Sequence, residues 1–407
     1  MFVIESAIAR AANEIGVDSR DIQEVNLLDE NDTFSYGQIA KNVEAKNTWD
    51  SAKSIFQIET LERDVQAFNE TNSTFKKGLA LMPITFGISF TNTPMNHARA
   101  LVHIYLDGSI GISTAAVEMG QGVNTKMMQI AADVFSVPIE KIKIETTNTT
   151  RVANTSPSAA SSTADLNGKA TLMACNSLVE RLKIVASERL KTSKDTIELK
   201  KESVYVNGEK SAMTWTELVS NAMLKRVALT ENAHYATPEI HFDKTKEKGH
   251  PFAYHVYGTA IITTTVDCTR GTYEFDSVKI VHDYGKSMSE GIDLGQVEGA
   301  LAQGIGWMTM EEITYNNEGR LLSNALSTYK IPDLFSVPKE VEVIPVETDG
   351  NDMAILKSKA VGEPPLMYGI GAYFALQNAI KAFNPKHDLK FHAPMTPEKV
   401  LMGLYEK

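Results

Sequence analysis

Apolar residues recur at helical spacing from the first turn, at Phe2, Ile4, Ala7, Ile8 and Ala11. That spacing predicts a helix starting at Met1. No residue stands before Met1 to cap it, so the chain is expected to begin inside an element. Val17 to Gly78 is polar and reads as helical or irregular, with Asp18-Ser19 capping a short helix and a second amphipathic stretch from Trp49 to Asn69. The character changes at Leu79, where an apolar, β-rich run extends to Phe90. ALVHIYL and IGISTAAV flank Asp107-Gly108, a strong hairpin signal. Gly120-Gln121-Gly122 ends the second strand, and Val123, Met127, Ile130, Ala131 and Phe135 then repeat at helical spacing. IKIETT reads as a strand, Asn154 to Asp165 as a tract of small residues, and Leu166 to Leu190 as a helix. Asn207-Gly208 marks a second hairpin.

Residues 230–252 are polar, contain Pro238 and Pro251, and read as a linker or excursion. A second β-rich region runs from Tyr254 to Val281, and Gly295-Gln296-Val297 leads into a helix through Ala300, Ile305 and Met308. Ser336 to Thr348 is expected to be a strand confined to a sheet edge by Pro338 and Pro345. KAVGEPPLMYGIGAYFALQNAIKAF is a loop running into a helix, in which Gly369-Ile370-Gly371 signals close helix packing. Each half has a strand pair, then Gly-Gln, then an apolar helix. The expectation is an α+β fold of two related units with mixed β-sheets and packed helices: a helical segment at 1–78, one unit at 79–230 and another at 231–407. Solenoid repeats would be shorter.

Composition narrows the function. The 407 residues hold 40 Lys plus Arg and 51 Asp plus Glu, a net charge of −11, without a clustered basic patch. Nucleic-acid binding is therefore not expected. No apolar run approaches the ~18 residues of a membrane span. Glu5 and Glu14 interrupt the apolar start, which does not resemble a signal peptide. A cytoplasmic protein, or one carried by a partner, is expected. Two distant cysteines, Cys175 and Cys268, cannot supply the four thiolates of an ordinary iron–sulfur cluster or a Cys-based zinc site. They read as two buried small hydrophobes. His97, His103, His255 and His282 are scattered, and no GxSxG, Walker A or Rossmann fingerprint is present.

Three loops carry unusual chemistry. In Glu118-Met119-Gly120-Gln121-Gly122, glycines let backbone approach a ligand and a helix follows, so amide N–H groups are expected to point outward. Ser158-Ala159-Ala160-Ser161-Ser162-Thr163-Ala164 suits a backbone wrapped around a large polar group. Gly362-Glu363-Pro364-Pro365-Leu366 places Glu363 at a helix N-terminus, where the dipole favours a carboxylate suited to general-base work. Each also has an ordinary reading: a capped turn, a surface loop and an acidic helix cap.

FGISFTNTPMN, VEMGQGVNTKMMQ, NTSPSAASSTADLNG, IDLGQVEGALAQGIG, STYKIP and KAVGEPPL stand in this order from near residue 1 to about residue 385. The series resembles the molybdenum-binding part of the xanthine dehydrogenase and aldehyde oxidase family. The resemblance implies that Glu363 is the catalytic base. It implies that Gly120 and Gln121 contact the pterin, that Gln296 does so from the other half, and that Ala160, Ser161, Ser162 and Thr163 form the loop around the cofactor. It places Phe90 and Thr91, with Ala159 and Ala160, in the substrate pocket; the Phe-Thr pair resembles the purine-oxidising branch. Molybdenum would be held by molybdopterin, with no protein ligand.

The implied reaction is oxidative hydroxylation of xanthine or hypoxanthine with water as the oxygen source. Aldehydes and N-heterocycles such as nicotinate remain open. Iron–sulfur clusters and FAD would sit on partner chains or domains, as two cysteines require. The resemblance starts just after a glycine-rich FRGFG-type segment, so the chain resembles the second of two molybdenum lobes plus a short piece of the first. A partner carrying the first lobe is expected, and a homodimer of the whole assembly is possible. The alternative is a separated lobe, folded but free of cofactor.

Overall fold

A computed structural model describes every residue except Thr146, Glu347 and Lys407. The chain opens with four helices, α1 (Phe2–Ile15), α2 (Ser19–Val25), α3 (Ala45–Ile55) and α4 (Ile58–Thr71). No side chain caps α1. Asp18 caps α2, with its carboxylate accepting from Arg20 N. The amphipathic stretch from Trp49 to Asn69 is two helices rather than one, because Gln57 adopts a left-handed φ of 50° between them.

Next come β1 (Phe75–Ile88), β2 (His97–Ile104), β3 (Ile110–Thr114), α5 (Val123–Phe135), β4 (Ile142–Glu145), α6 (Thr163–Leu190), β5 (Ile197–Lys200), β6 (Ser203–Val206), β7 (Glu209–Thr214) and α7 (Trp215–Leu224). The remainder is β8 (Thr230–Ala236), β9 (His241–Asp243), β10 (Lys248–His250), β11 (Tyr254–Asp267), β12 (Tyr273–His282), α8 (Glu290–Thr309), β13 (Glu340–Pro345), α9 (Ile370–Phe383) and α10 (Pro397–Tyr405). Both hairpins form where Asp-Gly and Asn-Gly mark them, pairing Ile104 with Ile110 and Val206 with Glu209. Thr146 of the IKIETT strand and Glu347 of the proline-bounded strand lie outside the described residues.

Two mixed sheets organise the molecule. One has the order β1-β11-β12-β13 and the other β4-β3-β2-β8. β13 runs parallel to β12 at the edge, as its prolines require. β1 and β11 pair antiparallel from Phe75↔Asp267 to Ile88↔Tyr254, so β1 joins the sheet built from the C-terminal strands. Residues 230–252 are not simply a linker. Within them β8 pairs with β2, from His97↔Ala236 to His103↔Thr230, and β9 and β10 form a short ribbon. Polar residues suffice for β8 because it is an edge strand whose alternate residues face solvent.

Alternation along β1 and β11 builds a core on each face of the first sheet. Met82 and Ile262 pack with Leu301 and Ile305 of α8 and with Tyr373 and Leu376 of α9. Leu81 and Ile261 face Trp49 and Ala52 of α3 and Ile58 of α4. Burying each such large apolar side chain is worth about 1.5–3 kcal/mol. α6 lies on the second sheet, with Ala174, Leu178 and Leu182 against Val102, Ile104, Ile110 and Ile112. A small core of Val123, Met127, Ile130 and Ile355 joins the two halves.

α8 and the Pro364–Gly369 turn cross with no side chain between them. A Cβ on Gly369 would lie 2.2 Å from the Gly304 carbonyl carbon, and one on Gly304 would lie 2.2 Å from the Leu366 oxygen. Cys175 and Cys268 are free and buried, and burial pushes the Cys175 thiol up to about 12. Among the described residues no helix is long and apolar enough to cross a membrane.

Candidate functional site: a cleft closed by four segments

The three chemically unusual loops meet in one open cleft of about 660 Å³, and the exposed face of α8 forms its fourth wall. Gly120, Gln121, Ala159, Ala160, Ser161, Thr163, Gln296 and Glu363 all line it. Ser162 does not. It is buried at the start of α6, where its carbonyl accepts from Leu166 N. Phe90 and Thr91 are also absent from the lining. They follow β1 in a loop pinned by Asn96, whose side chain accepts from Phe90 N at 2.8 Å and donates to Phe90 O at 2.8 Å. Thr91 lines a different hollow, with Tyr36 and Phe252.

The first loop differs from expectation. The amides at the start of α5 do not point outward unpaired. The Glu118 carboxylate accepts from Gly120 N at 2.9 Å, Gly122 N at 3.0 Å and Asn124 N at 3.0 Å. Burial works against its charge, but the backbone N–H groups prevail and hold the carboxyl below its usual range. The Gln121 amide is used within the loop as well, donating to Val117 O at 2.7 Å and accepting from Met119 N. A capping carboxylate two residues before Gly120 was visible in the sequence.

The second loop is strained. Ala160 and Ser161 have φ of 54° and 52°, a left-handed conformation that costs non-glycine residues about 1–3 kcal/mol each. Ser158 Oγ accepts from Val117 N at 2.8 Å, tying this loop to the first. Ser161 Oγ accepts from Glu363 N at 2.8 Å and donates to Glu363 Oε2 at 2.9 Å, tying it to the third. Below them Asp165 is buried, accepting from Tyr254 Oη at 2.6 Å and from Ile355 N at 2.8 Å. Burial outweighs these bonds and pushes its carboxyl up to about 6.

The fourth wall lies further inside its helix than the sequence pattern suggests. Gln296 lies within α8, not ahead of it, because α8 begins at Glu290. Gln303, seven residues on, shares its face and also lines the cleft. Starting the helix at Glu290 would have found it. Lys126 of α5 is bonded to Asp293 of α8 at 2.6 Å, and Ser287 Oγ donates to the same carboxylate at 2.6 Å. This pair is buried and fixes α5 against α8. A lysine on the apolar face of the predicted α5 was the available signal. Behind the third loop, Lys359 and Asp283 form a second buried ion pair.

A family model described as molybdopterin cofactor-binding domain matches residues 51–338 of the chain. The chain belongs to the molybdopterin cofactor-binding domain family. It is 36% identical over 406 residues to the xanthine dehydrogenase/oxidase of Rattus norvegicus, covering 98% of this chain and 29% of that protein. It is 33% identical over 418 residues to xanthine dehydrogenase 1 of Arabidopsis thaliana, covering 100% of this chain and 29% of that one. The chain thus spans about three tenths of the length of these curated relatives. Its fold matches that of quinoline 2-oxidoreductase from Pseudomonas putida 86 with a TM-score of 0.87 and 21% identity, over 100% of this chain and 52% of that one. The aldehyde oxidoreductase from Desulfovibrio gigas matches with a TM-score of 0.80 and 23% identity, over 99% of this chain and 40% of that one.

The cleft of this molybdopterin cofactor-binding domain fits the group the family is named for. The side-chain amides of Gln296 and Gln303 have no hydrogen-bond partner among the described residues. Between them, a Cβ on Gly299 would meet nothing within 4 Å. Two free amides flanking open space present uncharged donors and acceptors to a flat heterocycle, which is what a pterin edge requires. Among the described residues no cluster of three His, Cys, Asp or Glu side chains could hold a metal ion.

Proposed function

We propose that this chain is the cofactor-binding lobe of a molybdenum hydroxylase that oxidatively hydroxylates a purine, xanthine or hypoxanthine, with water as the oxygen source. The observation that carries it is the convergence of Glu363, Ser161 and the Gln296–Gln303 face on one cleft. Bound molybdopterin supplies the redox centre that takes up electrons from the substrate carbon. Gln296, Gln303, Gly120, Ala160 and Thr163 hold and orient it, while the Ser161 side chain is committed to Glu363; the Gln121 amide must first exchange its own backbone partners for the pterin. Glu363, exposed at the cleft and anchored through Ser161, accepts the proton of the attacking oxygen. General-base help of this kind is worth roughly 10²–10⁴ in rate.

A purine is favoured over aldehydes because the relatives at 33–36% identity carry the name xanthine dehydrogenase. Phe90 and Thr91 would reach the substrate only from the rim of the assembled site. We further propose a cytoplasmic assembly in which a first-lobe chain closes the pterin site and iron–sulfur and FAD subunits carry electrons away. Molybdenum and pterin analysis of the chain, alone and copurified with a first-lobe partner, tests this. One molybdenum per complex is expected, and a complex persistently free of pterin would rule it out.

A further inference from the structure

Ser161 lies outside α6, which begins at Thr163 with Ser162 at its N-cap. It nevertheless sits in a left-handed backbone conformation at φ 52°, which an L residue adopts only when its surroundings impose it. What those surroundings gain is contact with a segment 202 residues away. The Ser161 hydroxyl accepts from the Glu363 backbone N–H at 2.8 Å and donates to the Glu363 carboxylate at 2.9 Å. One oxygen therefore fixes both ends of the glutamate. Gly362 allows the approach: a Cβ there would come within 3.3 Å of Ser161 Oγ. Pro364 and Pro365 follow directly and restrict the backbone on the other side. No other side chain among the described residues hydrogen-bonds the Glu363 carboxylate.

We infer that Ser161 is a positioning residue, a two-bond latch that sets the direction in which the Glu363 carboxylate faces the cleft. The inference rests on the reading of Glu363 as the base but concerns a different residue and a different property. With the latch made, one carboxylate oxygen is bound and the other is left to take a proton. Without it, the side chain is free to rotate among its rotamers, and the fraction of time spent in the productive direction falls.

The test uses Ser161→Ala and Ser161→Gly. Glycine accepts the left-handed backbone without strain, so it guards against a folding defect. The first readout is hydrogen exchange of the full chain by mass spectrometry over residues 361–366. Pro364 and Pro365 carry no amide there, so the Glu363 N–H forms a large share of the signal. Both variants should raise exchange at this segment about 10-fold or more. In the molybdenum-loaded assembly both should lower kcat about 10- to 100-fold with KM and molybdenum content unchanged. Added to Glu363→Gln, either should cost less than about 2-fold more, because the latch acts only through the carboxylate. Unchanged exchange, or kcat within about 2-fold of the parent, overturns the latch. Loss of molybdenum overturns it too, by making Ser161 a cofactor ligand. Full activity of Glu363→Gln alongside faster exchange in the serine variants overturns the base reading and the catalytic role of the latch, while leaving its geometry standing.

Discussion

Replacing Gly369 by alanine tests whether bare backbone contact sets the width of the cleft. Gly369 has φ −59° and ψ −20°, a helical conformation alanine prefers by about 1 kcal/mol. Local propensity alone therefore favours the variant. Packing opposes it. The new Cβ would sit 2.2 Å from the Gly304 carbonyl carbon and 2.5 Å from both Gly304 Cα and Ile305 N. Carbon contacts settle at about 3.5–4.0 Å, so α8 and the Pro364–Gly369 turn must part by more than about 1 Å. The neighbours are main chain, with no flexible side chain to yield. Overpacking of this kind costs about 1–3 kcal/mol or more and outweighs the propensity gain. Separation also moves the Gln296–Gln303 face away from Glu363. Gly295→Ala on α8 is the control, since a Cβ there meets nothing within 4 Å. Urea denaturation should show Gly369→Ala less stable than the parent by about 1–3 kcal/mol and Gly295→Ala equal or slightly more stable. Equal stability of the two variants would refute the packing argument.

Lys126→Met should cost about 3–5 kcal/mol by leaving Asp293 buried without its cation, whereas Lys126→Met with Asp293→Leu should recover most of that loss. Equal denaturation midpoints for the single and double variants would contradict this. Asp165 is pushed up to about 6 by burial, so the folded state binds a proton that the unfolded chain has released. Its contribution is fully present below pH ~3.8 and lost as pH rises through ~6, amounting to about 3 kcal/mol. Asp165→Asn keeps the shape, with its Oδ1 accepting from Ile355 N and its Nδ2 donating to a Tyr254 hydroxyl that turns to accept, and should be more stable than the parent at pH 7 by up to that amount and equal to it near pH 3.5. A stability gain independent of pH would sink the assignment.

Local order was legible where one period dominates. Asp107-Gly108 and Asn207-Gly208 specify their turns chemically, and the apolar face of α5 repeats with a single interruption at Lys126. The three cleft loops stand out by their small residues and glycine, but each alone reads equally as a capped turn, a surface loop or an acidic cap; only their order along the chain, which resembles the molybdenum-binding family, singles them out. What was hidden depends on partners distant in sequence. β8 is polar because it is an edge strand, so nothing local separates it from a linker. Glu118 is visible two residues before Gly120, but that it takes the amides of Gly120, Gly122 and Asn124 is set only by the fold of the loop. α8 starts earlier than its sequence suggests, because Gly291 and Gly295 look like punctuation yet lie in the helix where no neighbour presses on them. Phe90 and Thr91 stand together in the sequence but outside the cleft lining, since Asn96 folds their loop back on itself.

The most direct test of the account is Glu363→Gln in the molybdenum-loaded assembly, with metal content and turnover measured on the same sample. An unchanged molybdenum-to-chain ratio and a fall in kcat of about 10²- to 10⁴-fold are expected. Turnover equal to the parent, with molybdenum fully loaded, would contradict it.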